Sequence, residues 1–100
     1  MAEEIPLLFV DDEDSIRLTL PPLLERNGFQ VTSAASVPEA LNLIAQRKFQ
    51  VLLTDLNIGR PGDGFAIVSA MRSTQPDALR FILTGYPALL NRLWKPCAIR

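Results

Sequence analysis

The run IPLLFV, residues 5–10, breaks off against DDED, residues 11–14. A strand with one face in water would alternate apolar and polar positions, so an unbroken apolar run of this length reads as a strand covered on both faces. Pro6 has no N–H to give to a neighbouring strand, which places it at the first position of the element. Four acids at the end of a buried segment oppose one another's ionisation unless something positive is drawn among them, and a bound cation is the first candidate.

Beyond the acids, Ile16, Leu20, Leu23 and Leu24 recur at helical spacing as far as Asn27-Gly28, a helix stop. Pro21-Pro22 lies inside that pattern, and the missing N–H groups predict a kink or a split into two short helices. A second strand is expected over residues 29–33. Ser36 and Glu39 then stand three apart, as in a capping box. They open a helix whose apolar stripe is Val37, Ala40, Leu41, Ile44 and Ala45. FQVLLTD gives a third strand ending at Asp55, and NIGRPGDG a loop. The next helix runs over Phe65, Val68 and Met71 and stops before Pro76. LRFILTG gives a fourth strand ending at Thr84.

Strands alternating with helices through short loops imply right-handed crossovers and an α/β doubly wound parallel sheet with helices on both faces. Ligands in such folds bind outside the carboxyl ends of the strands. Asp11 and Asp12 after the first strand, Asp55 after the third and Thr84 after the fourth are the candidates there.

Composition narrows the chemistry. One hundred residues, 48% hydrophobic and 21% charged, suit a single globular domain with one core. Ten basic against eleven acidic residues create no field that would draw in nucleic acid or an anionic membrane, so neither is expected as a direct partner. After Asp77 every charge is basic (Arg80, Arg92, Lys95, Arg100), which reads as a solvated tail in preference to a binding patch. A lone cysteine, Cys97, allows no internal disulfide. The apolar start follows two glutamates and is cut off by four acids, a pattern that suits neither a signal peptide nor a membrane span, and a cytoplasmic location is the expectation. With no histidine in the chain, histidine-based triads, histidine zinc sites and a role as a histidine-phosphorylated carrier are excluded.

What remains is chemistry that rests on carboxylates, hydroxyls, lysine and a hard metal ion. Three carboxylates from two strand ends make an oxygen-rich site of the kind Mg²⁺ prefers, with retained waters that later yield to a phosphate. Glu13 and Asp14 fit better as acids complementing the start of a helix. Asp55 alone could cap a loop. Together with Asp12 and Thr84 it reads as a functional group.

In these pieces the sequence resembles the receiver domains of two-component response regulators: FVDDED after the first strand, LLTDLNI with its aspartate, a GDG loop, and ILTG closing the fourth strand. The resemblance covers residues 5 to about 87 of a single domain, 1–100, and leaves 88–100 as a divergent tail. It implies the flavodoxin/CheY-like strand order 2-1-3-4(-5). It also implies Mg²⁺-dependent phosphoryl transfer onto Asp55 from a sensor histidine kinase or histidine phosphotransfer protein. Asp11, Asp12, Asp55 and the carbonyl of Asn57 would hold the metal. Thr84 matches the switch hydroxyl.

The ending departs from that pattern. Lys95-Pro96 matches a lysine-proline pair of the family but stands only 11 positions after Thr84. A parallel crossover needs about a dozen residues before its next strand begins, so the fourth helix, fifth strand and last helix are expected to be shortened or missing. Eleven residues can still span about 36 Å, and Lys95 is open to two readings, the phosphoryl-pairing lysine or an exposed basic tail. Arg92 replaces the usual aromatic, and Trp94 reads as a plug for apolar surface. Two functions follow from this, a phosphorylatable receiver or a degenerate receiver acting as an interaction module, with a homodimer possible in either case. An aspartyl-phosphate hydrolase would want an acid where Asn57 stands.

Overall fold

The computed structural model describes residues 4–83. They form β1 (Ile5–Val10), α1 (Asp14–Glu25), β2 (Phe29–Ala34), α2 (Val37–Gln46), β3 (Val51–Asp55), α3 (Gly64–Thr74) and β4 (Leu79–Leu83). All three strand pairings are parallel, in the order β2-β1-β3-β4. This is the doubly wound order 2-1-3-4 expected from the sequence. Thr84, Trp94, Lys95 and the expected shortening of the last elements lie outside the described residues.

β1 is central, and Leu7, Leu8, Phe9 and Val10 are each no more than 2% exposed, as an apolar run covered on both faces requires. The two-residue period of a strand divides them. Leu8 and Val10 join Leu52, Ala40, Ile44, Ile67 and Met71 on the face covered by α2 and α3. Leu7 and Phe9 join Leu53, Leu83 and Leu20 on the face covered by α1.

Three local expectations change. β1 starts at Ile5, whose N–H donates to the Gly28 carbonyl (2.9 Å), so Pro6 takes the second position of the strand. α1 is one continuous helix across Pro21-Pro22, with no split into two. The bonds lost there would have gone to the carbonyls of Arg17 and Leu18, and Leu18 is exposed. In α3 the buried positions are Gly64, Ile67 and Met71, while Phe65 is exposed. The close seating of Gly64 against the end of β3 sets the phase of that helix and turns Phe65 outward.

The capping box at α2 forms with a shifted partner. Ser36 Oγ accepts from the Glu39 N–H (3.3 Å), and Glu39 Oε1 accepts from the N–H of Ala35, one residue before the cap (2.7 Å). At the amino edge of the sheet Gln75 ties three segments together. Its Oε1 accepts from the Phe49 N–H (2.7 Å), and its Nε2 donates to the carbonyls of Ile44 (3.0 Å) and Arg47 (2.7 Å). Among the described residues no helix is long and apolar enough to cross a membrane.

Candidate functional site

Register brings the acids together. Val10 of β1 is level with Thr54 of β3, so one step further along the parallel pair Asp11 comes level with Asp55. Period two then puts the two side chains on one face, Asp11 following Leu7 and Phe9, and Asp55 following Val51 and Leu53. Asp12 joins from the loop that leads into α1. Each of Asp11, Asp12 and Asp55 offers a carboxylate oxygen within 4.8 Å of the others. The three carboxylates among the four residues singled out in the sequence for metal binding therefore meet at one point.

Each is held by its backbone surroundings. The Asp11 N–H extends the β1–β2 ladder to the Ala34 carbonyl (3.1 Å), and its Oδ1 accepts from the Glu13 N–H (2.9 Å). Asp12 Oδ2 accepts from the N–H of Gly59, across the site in the β3–α3 loop (3.0 Å). Asp55 is anchored from behind. Gly64 donates its N–H to the Leu56 carbonyl (2.8 Å), and a Cβ at position 64 would lie 2.2 Å from the Asp55 carbonyl oxygen. Only glycine lets α3 approach the end of β3 this closely.

The electrostatics are unrelieved. Burial raises the Asp11 carboxyl to about 6, and the charges of Asp55, Asp12 and Glu13 push it the same way, against the Glu13 N–H. Burial likewise raises Asp55, with Asp12 and Glu13 adding to the shift while the amides of Asn57 and Leu56 oppose it. Asp55 Oδ1 is buried without a hydrogen-bond partner among the described residues. A buried acceptor with no donor is unfavourable unless something fills the place. Hard oxygen donors from two strand ends, one of them unsatisfied, suit a divalent cation.

Asn57 is exposed beside this cluster, and its side-chain oxygen accepts from the Gly62 N–H (3.0 Å), which shapes the loop. The structure adds three residues that the sequence reading left out. Arg17 donates Nη1 to the Asp11 carbonyl (2.7 Å) and pairs with Asp14, and the three-residue spacing of Asp14 and Arg17 was its legible signal. Gly64 carried no sequence signal beyond the GDG motif. Arg60, at the crown of the β3–α3 loop, lines a cavity of about 360 Å³ together with Asp12 and Ser36.

Comparison with known proteins agrees with this geometry. A family model described as response regulator receiver domain matches residues 7–92. The photosynthetic apparatus regulatory protein RegA of Rhodobacter capsulatus is 32% identical over 83 residues, which cover 83% of this chain and 45% of that protein. Sporulation initiation phosphotransferase F of Bacillus subtilis is 31% identical over 84 residues, covering 83% of this chain and 66% of its own length. The chain thus spans about half the length of the Rhodobacter relative. Among solved structures, a response regulator protein from Burkholderia pseudomallei, containing a phosphorylated aspartic acid, a calcium ion and citrate, superposes with a TM-score of 0.73. It is 33% identical, over 95% of this chain and 56% of the other. With the strand order, the gathered acids and the sequence match pointing the same way, this chain belongs to the response regulator receiver domain family.

Proposed function

We propose that this domain accepts a phosphoryl group on Asp55 from a phosphohistidine of a sensor histidine kinase or histidine phosphotransfer protein, in a cytoplasmic phosphorelay. The observation that carries the reading is the meeting of Asp11, Asp12 and Asp55 around a buried Asp55 oxygen that has no donor among the described residues. A carboxylate oxygen of Asp55 attacks phosphorus in line. The new O–P bond forms as the P–N bond breaks, and the departing electron pair stays on the imidazole nitrogen, which takes a proton. Asp11, Asp12, Asp55 and the Asn57 carbonyl would hold Mg²⁺. When bound, Mg²⁺ neutralises charge on the phosphoryl oxygens.

Most of the catalysis in such a step is positioning. Asp11 is fixed at its N–H, its carbonyl and one carboxylate oxygen, and Gly64 backs the Asp55 main chain. In the same proposal Thr84 is the switch hydroxyl that turns phosphorylation into a change of shape, and Lys95 pairs with the phosphoryl group. The domain then catalyses its own phosphorylation and the loss of the phosphoryl group, and acts through protein partners without touching nucleic acid or membrane.

The test is the intact mass of the protein after incubation with acetyl phosphate and Mg²⁺. The expected result is one phosphoryl adduct that disappears without Mg²⁺ and in Asp55→Asn. Folded protein that gains no adduct overturns the proposal.

A further inference from the structure

The β3–α3 loop carries a cation that the chemistry above does not use. Two basic residues stand at the carboxyl edge of the described sheet. Arg17 is already committed to Asp14 and to the Asp11 carbonyl. Arg60 is exposed and has no ion-pair partner among the described residues.

The loop presents Arg60 on a fixed frame. Ile58, two residues before it, is 2% exposed and belongs to the core beneath α2 and α3. Gly59 and Gly62 take φ of +78° and +84°, which turns the chain sharply on either side of Arg60-Pro61. The Gly59 N–H is fastened to Asp12, and the Gly62 N–H to Asn57. Arg60 faces a cavity of about 360 Å³ whose other wall is the turn around Ser36 and Val37. Asp12 belongs both to that lining and to the acidic cluster, so cavity and cluster are contiguous. A volume of this size falls at the lower end of small-molecule sites.

Charge decides what the cavity takes. Three carboxylates and a divalent cation leave one negative charge at the cluster, and Glu13 nearby and Asp63 in the cavity lining add to it. A phosphoryl donor is itself a dianion and is repelled by such a rim. A guanidinium at the rim offsets the repulsion and offers paired N–H donors to carboxylate or phosphoryl oxygens. Resting on the reading of Asp55 as the acceptor, we propose that Arg60 is a specificity-determining residue for the phosphoryl donor. It captures the anionic donor at the cavity beside Asp12 before transfer. It acts on donor affinity and leaves the transfer step to the carboxylates.

The test measures adduct formation on the 100-residue chain against acetyl phosphate concentration at saturating Mg²⁺, for the parent protein, Arg60→Ala, Arg60→Glu and Arg60→Lys. At low ionic strength the half-saturating donor concentration is expected to rise about fivefold in Arg60→Ala and about twentyfold in Arg60→Glu, with Arg60→Lys within about twofold of the parent. The differences shrink at about 0.5 M salt, where screening is strong. A loop that had merely collapsed would instead lower the saturated rate and Mg²⁺ affinity together, and Lys would not rescue it. Half-saturating concentrations within about twofold of the parent in both Arg60→Ala and Arg60→Glu overturn the inference while leaving Asp55 as acceptor. Absence of an adduct in the parent protein overturns both.

Discussion

The two edges of the sheet treat buried polar groups in opposite ways. At the amino edge, the Gln75 amide has partners at both ends and ties the end of α3 to α2 and to the segment that leads into β3. At the carboxyl edge, Asp55 keeps a buried oxygen without a donor among the described residues, and Asp11 is held well above its ordinary carboxyl range. One edge has its polar groups arranged for stability. The other is arranged for something that arrives later, and its strain persists because the packed strands behind it hold the acids in place.

The comparison breaks most visibly at Gly64. Gly64→Ala drives a methyl group into the Asp55 carbonyl, and a loss of about 3 kcal/mol in urea unfolding is expected, with slower phosphorylation of whatever folds. Unchanged stability would mean that α3 can retreat from β3 at little cost. Gln75→Ala comes next. It strips the Phe49 N–H and the carbonyls of Ile44 and Arg47 of their partner, and a loss of about 2 kcal/mol is expected, with Mg²⁺ affinity by calorimetry equal to the parent's. A change in Mg²⁺ affinity would show that the two edges are coupled through α3.

The smallest effect is in pH. Asp11 rises from 3.8 to about 6 on folding, so between those values the folded chain holds more protons than the unfolded one. Stability of the cation-free protein therefore falls as pH rises through that window and levels off above it. Asp12 beside it is exposed, and screening there brings the loss to about 1 kcal/mol. Thermal melts from about pH 4 to 7 are expected to show this fall, a flatter profile in Asp11→Asn, and recovery with saturating Mg²⁺. A parent profile that rises over the same window would remove the electrostatic half of the contrast.

What the sequence showed and what it hid follow the same division. The apolar run at Leu7 to Val10 and the acids behind it are contiguous, so strand, burial and site could be read together. Asp55 was legible because it closes a second run of the same kind. Phe65 misled because the phase of α3 is set by the contact of Gly64 with β3, which no periodicity within the helix reveals. The bond from Gly59 to Asp12 joins residues 47 apart, and those of Gln75 span 26 to 31 positions. Partners that distant leave no local pattern to find.

With one cysteine, this chain has no covalent cross-link within itself, yet Gln75 fastens a loop of about the length that disulfides close in small proteins. The difference lies in which state feels it. A disulfide acts largely by removing freedom from the unfolded chain, whereas the bonds of Gln75 exist only after folding and leave the unfolded ensemble as free as before. The fastening is thus indifferent to reductants, needs no partner enzyme to form, and is remade whenever the domain refolds.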